Sequence, residues 1–210
     1  MLAVSIEKIW EQPVMTNANA ADVPAERFPS LATPRLTLRE IAPTDAASLL
    51  AIHGDREAMR WFGSDPITSL PEAEQMVQTF ASLRKPPVLG IRWAIERNQD
   101  RRHIGTCGLF RWNRNWKSCS VGYELARDTW GNGLMTEAVG AALTWGFESM
   151  ALNRIEAQAH PENAASLKLL QRLGFVEEGR QRQAGFWCGE HHDLVQLSLL
   201  RYEYSNGRKQ

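Results

Sequence analysis

Tyr123-Glu124-Leu125-Ala126-Arg127-Asp128-Thr129-Trp130-Gly131-Asn132-Gly133-Leu134-Met135-Thr136-Glu137-Ala138 starts as a strand, crosses a loop with two glycines and ends inside a helix. The helix announces itself by Leu134, Ala138, Ala141, Ala142, Trp145 and Met150, apolar residues at helical spacing. The N–H groups of a first helical turn have no intrahelical partner and carry the positive end of the dipole, and glycines let a ligand approach the backbone closely. Gly131, Asn132, Gly133 and Leu134 can therefore seat a pyrophosphate with little side-chain help. The spacing is neither a Walker loop nor a dinucleotide fingerprint, and taken alone it also describes a plain glycine turn entering a core helix.

Upstream, Leu36 to Ile41 alternates as a strand does, and Pro43-Thr44-Asp45 starts a helix ahead of Leu49, Leu50 and Ile52. A second helix is expected from Pro71 to Leu83, ended by Pro86-Pro87. Arg92 to Glu96, His103 to Phe110 and Cys119 to Leu125 then read as an antiparallel meander. Downstream, Arg154 to Ala159 is a buried strand, Asn163 to Leu173 a helix stopped by Gly174, and Phe175 to Glu178 and Leu194 to Leu200 return to β. The order β, two helices, three strands, helix, strand, helix, two strands makes an α/β domain on a mixed sheet. Residues 1–30 read as an arm outside the core, because Pro13, Pro24 and Pro29 interrupt any helix; residues 31–204 form the domain and 205–210 a polar tail.

With 43% hydrophobic and 23% charged residues in 210, the chain is an ordinary globular domain. Lys+Arg and Asp+Glu both number 24, so no global field draws it to nucleic acid or a membrane, and an anionic ligand must be held locally. An odd set of three cysteines without a Cys-x-x-Cys pair points to a reducing, cytoplasmic setting, and neither a signal peptide nor a membrane span is visible.

The glycine loop is followed by Asn163-Ala164-Ala165-Ser166-Leu167-Lys168-Leu169-Leu170-Gln171-Arg172-Leu173-Gly174-Phe175, and together the two segments resemble the GNAT superfamily of N-acetyltransferases. Thr33-Pro34-Arg35-Leu36-Thr37-Leu38-Arg39, Ile104-Gly105 with Gly108, and Gly122-Tyr123-Glu124-Leu125-Ala126 look like its Rim-type branch, which includes ribosomal-protein N-terminal acetyltransferases. The resemblance runs from about Leu31 to Arg201. It implies a mostly antiparallel sheet splayed at the cofactor site and acetyl-CoA as donor, with the acetyl group passing directly to an amine, either a peptide α-amino terminus or a small molecule. A homodimer is left open. The donor site would comprise Leu125, Ala126, Arg127, Gly131, Asn132, Gly133, Leu134, Met135, Asn163 and Arg172. Two positions depart from the superfamily: Asp128 stands where Arg or Gln often opens the loop, and Leu170 where many members carry a proton-donating Tyr. They keep open an alternative, a coenzyme A-binding regulatory module that has lost catalysis; within enzymes the rival is acetylation of an antibiotic or an aminoacyl conjugate.

The amine must be neutral to attack. An α-amine with pKa about 8 is roughly a tenth neutral at pH 7, a lysine only about four parts in ten thousand. Glu124, on the strand entering the loop, is the expected base, with Tyr123 and Leu125 on the opposite face. Ser166, one turn beyond Asn163, is the expected partner of the leaving thiolate, although Asn163 as N-cap and Ser166 at N3 would be an ordinary helix start. His160, before Pro161, is a candidate for acceptor binding or base chemistry, or for packing. Glu137 reads as an ion-paired helix residue. Lys168 and Arg172 bracket a 3′-phosphate or form a solvated face. Trp61, Trp112, Trp116 and Trp187 suit an acceptor wall. No metal is expected, because His191 and His192 point to opposite faces of a strand.

Overall fold

The computed structural model describes residues 28–85 and 88–207. Its frame is one eight-stranded sheet in the order β1-β2-β3-β4-β5-β6-β8-β7. The strands are β1 (Leu31–Ala32), β2 (Leu36–Arg39), β3 (Ile91–Arg97), β4 (His103–Asn113), β5 (Ser118–Leu125), β6 (Arg154–Ala159), β7 (Val176–Trp187) and β8 (Glu190–Leu200). Neighbours pair antiparallel except β5 and β6, which run parallel because helix α4 (Leu134–Ser149) carries the chain back between them.

Alternation decides what each face of the sheet meets. Ile91, Trp93 and Ile95 of β3, Leu109 of β4, Val121 of β5 and Ile155 of β6 form one core with α4 and with α5 (Ala164–Arg172). Helix α4 offers Leu134, Ala138, Ala142 and Phe147 as a buried stripe. The opposite face carries α1 (Ala46–His53), led in by the 3-10 turn Pro43–Asp45, the single-turn α2 (Arg56–Met59) and α3 (Leu70–Ser82), packed through Leu49, Ala73, Met76, Val77 and Phe80. A closing helix, α6 (Arg201–Gly207), takes in Ser205 to Gly207 of the expected tail.

Most expected elements lie within a residue or two of their observed ends. The exceptions have physical causes. Helix α2 is too short for periodicity to reveal, and forms because the Asp55 side chain accepts from the Glu57 and Ala58 N–H groups. Strands β7 and β8 are far longer than their apolar segments, because they continue as a solvent-facing hairpin in which Glu177 to Gln183 stay exposed. Residues 1–27 of the expected arm, and Pro86-Pro87, lie outside the described residues. Phe28 already packs edge-on against Trp93, and the Trp93 indole donates to the Pro29 carbonyl at 2.7 Å, so the chain is on the core three residues ahead of the expected boundary at Leu31.

Candidate active site

The loop that opens α4 is built without a capping side chain. Gly131 and Gly133 take φ of 77° and 72°, and Gly133, the N-cap, leaves the first-turn N–H groups without a side-chain acceptor. The loop is held from outside. Arg35 donates through Nη1 to the Asn132 carbonyl (2.9 Å) and through Nε to Glu137 (2.7 Å), while Thr33 Oγ1 and the Arg35 N–H donate to the same carboxylate at 2.6 and 2.9 Å. Glu137 is ion-paired, and its pairing fixes the loop to the β1–β2 turn.

Beside the loop the sheet comes apart. Strands β5 and β6 pair only from Ser118 to Ser120 and from Arg154 to Glu156, although both run on to Leu125 and Ala159. Past that point their facing edges do not pair with each other and can bond the amides of an extended ligand arm. The split belongs to a cleft of about 950 Å³ that also contains Gly131 to Met135 and the start of α5. Among the expected site residues, Glu124, Leu125, Gly131, Asn132, Gly133, Leu134, Met135, His160, Asn163, Ser166 and Arg172 line this cleft, and so does Lys168. Ala126 and Arg127 line a second cavity, of about 650 Å³, under α1. Arg127 is drawn there by Asp55 (3.1 Å), and Asp128 pairs with Arg102 (2.5 Å), so the acidic departure at the loop is neutralised by an arginine.

At the start of α5 the Asn163 side chain accepts from the Ser166 N–H at 3.0 Å, and Ser166 Oγ lies 2.8 Å from the Tyr123 hydroxyl. Leu170, one turn on, is wholly buried in the core.

Glu124 is buried and surrounded. The Arg92 guanidinium and the Thr106 hydroxyl both donate to its carboxylate, His53 Nε2 lies at 3.3 Å, and Arg92 Nε donates to Thr106 at 2.7 Å. Burial pushes the carboxyl upward, but the Arg92 charge and the donors outweigh it and hold it at about 2. His160 stacks on Trp61 with ring centroids 3.9 Å apart, and its Nδ1 accepts from the Glu162 N–H, which leaves the proton of the neutral ring on Nε2. Burial and the neighbouring His192 lower its pKa.

Trp61 and Trp187 line the cleft, whereas Trp112 is buried under the Arg114 guanidinium and Trp116 is 79% exposed, both away from it. His192 is stacked on Trp187 and Asp193 is held by Arg180, and no metal-binding group of three is present among the described residues. Glu156, which belongs to none of the sequence motifs, lines the cleft where β5 and β6 part, its carboxylate 2.8 Å from Arg154 Nε. Its signal was the alternation of Ile155, Ala157 and Ala159, which turns Glu156 and Gln158 to the other face. Arg92, likewise marked by no motif, is a charge set between Ile91 and Trp93 in β3.

An acetyltransferase (GNAT) domain matches residues 35–176. The chain is 35% identical over 174 residues to YoaA of Bacillus subtilis, an uncharacterised N-acetyltransferase, covering 83% of this chain and 98% of that one. It is 29% identical over 177 residues to YdaF of the same organism, a putative ribosomal N-acetyltransferase, covering 80% and 93%. A crystal structure of Vibrio cholerae spermidine N-acetyltransferase with CoA and spermine shares the fold, with TM-score 0.73 and 24% identity, covering 83% and 100%. The Rim-type likeness read from the motifs agrees with these relatives. The chain belongs to the GNAT family, and it is an N-acetyltransferase that draws its acetyl group from acetyl-CoA.

Proposed function

We propose that this enzyme acetylates the α-amino group of a peptide or protein N-terminus by direct attack on the thioester of bound acetyl-CoA. The observation that carries this reading is the state of Glu124. A carboxylate held at about 2 and already accepting from Arg92 and Thr106 is a poor proton acceptor. Taking a proton from an ammonium of pKa about 8 would run steeply uphill, because the Arg92 charge and the Thr106 donor favour the ionised carboxylate. The acceptor must then supply its own neutral fraction, and an α-amine does so far better than a lysine or a polyamine. Glu156, beside the split, is placed to receive the departing proton through water. Glu124 serves as the fixed anion that holds Arg92 in the cleft wall, and His160 as part of the aromatic wall with Trp61.

The pyrophosphate of the donor lies on the N–H groups of Gly131 to Leu134, its pantetheine arm between the parted strands, and its 3′-phosphate toward Lys168 and Arg172. The relatives' ribosomal N-acetyltransferase description agrees with an N-terminal acceptor. The test is thiol release from acetyl-CoA with peptides bearing a free N-terminus, N-blocked peptides containing lysine, spermidine and an aminoglycoside. Turnover confined to the free N-termini is expected. Faster turnover of spermidine or of blocked peptides would overturn the choice of acceptor, and stabilisation by CoA without turnover of any amine would establish the non-catalytic module instead.

A further inference from the structure

The hydroxyl of Tyr123 and that of Ser166 are 2.8 Å apart, one on the parted strand and the other on the first turn of α5. Both residues line the donor cleft. Tyr123 shares the strand face of Val121 and Leu125, which pack in the core beneath α4 and α5, so its ring is held by its neighbours. Ser166 is held as well, since its N–H is taken by the Asn163 side chain. The backbones that carry the two oxygens are therefore held, and the 2.8 Å hydrogen bond joins the hydroxyls in one of two directions. A serine hydroxyl has one hydrogen, so if Ser166 spends it on Tyr123, nothing remains for a ligand in the cleft. The phenol is the more acidic hydroxyl and the better donor. Burial pushes it up to about 12, so it keeps its hydrogen at any physiological pH.

Resting on the acetyl-transfer reading of this site, we propose that Tyr123 is a positioning residue for the reaction: its hydroxyl donates to Ser166 Oγ and so aims the single Ser166 hydrogen into the parted strands, at the thioester sulfur. In the step itself the amine nitrogen forms a bond to the carbonyl carbon and the carbon–sulfur bond breaks with both electrons staying on sulfur. The surplus proton of the nitrogen leaves through water, and the sulfur is protonated from solvent as free coenzyme A. Tyr123 and Ser166 give up no proton. They supply a hydrogen bond that is weak to a thioester and strong to a thiolate, and such a contact appears in kcat. Leu170 is buried in the core and offers the cleft no donor, so the Tyr123–Ser166 pair, one turn earlier on α5 and across on β5, fills that need.

The experiment is a double-mutant cycle read by thiol release. Ser166→Ala should lower kcat about 100-fold. Tyr123→Phe should lower it about 10-fold while leaving the acetyl-CoA KM and acetyl-CoA-induced thermal stabilisation unchanged. The double variant should be no slower than Ser166→Ala, because Tyr123 acts only through Ser166. A ring-fluorinated tyrosine at position 123, which keeps the shape and the hydroxyl, should restore kcat even if Tyr123→Phe folds poorly. Unchanged kcat in Tyr123→Phe, or the same loss in the Ser166→Ala background as in the parent, would overturn the assignment while leaving acetyl transfer intact. A parent protein that binds acetyl-CoA and acetylates no amine would overturn the reading of the site and this assignment with it.

Discussion

Burying Glu124 and Arg92 together commits the protein to both, because each charge is tolerable in the interior only while the other is there. Removing one partner of such a pair typically costs about 3–5 kcal/mol, through the charge left behind. Glu124→Gln should therefore destabilise the fold by about 3 kcal/mol or more in urea unfolding at neutral pH, with Arg92 stranded beside Thr106. The sign of the pH dependence follows from the depressed pKa. The folded carboxyl, at about 2, lies below its unfolded value, so its stabilisation is fully present above that unfolded value and disappears as pH falls toward 2. The stability gap between the parent and Glu124→Gln should accordingly shrink between neutral pH and about pH 3. A gap that stays constant would mean that Glu124 is not ionised in the folded protein.

At the scale of elements, the proposed donor loop depends on two left-handed glycines and on one arginine reaching in from the β1–β2 turn. A Cβ at Gly133 would find room, with Arg35 Nη2 the nearest atom at 3.7 Å, so a substitution there acts through backbone conformation and not through a clash. A left-handed β-branched residue costs on the order of 1–2 kcal/mol, enough to turn the loop's N–H groups away from a pyrophosphate. Gly133→Val should abolish acetyl-CoA-induced thermal stabilisation while the protein stays folded; undiminished stabilisation would remove this loop from the donor site. Arg35→Ala should raise the acetyl-CoA KM about 10-fold with little change in kcat, since Arg35 holds the loop and touches no reacting atom. An equal fall in kcat would tie Arg35 to the chemistry. The glycine loop, α4 and the alternation of β5 were legible in the sequence because each is a local pattern. The Arg92 to Glu124 pairing was not, because it depends on register: Arg92 lies opposite Gly108, which lies opposite Gly122, so the guanidinium crosses two side-chain-free positions to reach the next strand but one. Nothing local reveals that Asp128 is neutralised by Arg102, a residue 26 positions away.

In the molecule as a whole, the proposed reading gives donor and acceptor to different parts of the chain. The proposed donor end is α4, α5 and the parted strands, whereas the proposed acceptor end is closed by a bridge between the α2–α3 loop and the β7–β8 hairpin. In that bridge the Trp187 indole donates to the Arg60 carbonyl at 3.1 Å and the Cys188 N–H donates to Asp65; beside it Trp61 of the loop stacks on His160, and within the hairpin Trp187 stacks on His192 with centroids 3.7 Å apart. The hairpin beyond it is largely exposed, so this contact set fixes where the hairpin lies over the cleft. Gly185 is the position that makes the stack possible, because a Cβ there would collide with the Trp187 ring, a rigid neighbour that cannot yield by a rotamer shift at its tip. Gly185→Ala should push the ring off His192 and loosen the bridge. The acceptor KM should then rise about 10-fold, while acetyl-CoA binding, measured by thermal stabilisation, stays as in the parent, because Gly185 belongs to the β7–β8 hairpin and not to the glycine loop or α5. Hydrogen exchange should quicken in residues 60–65 and at the hairpin turn and remain slow in α4. If donor and acceptor affinities fell together, the two ends would be one coupled unit, and the hairpin would have to be counted as part of the donor site.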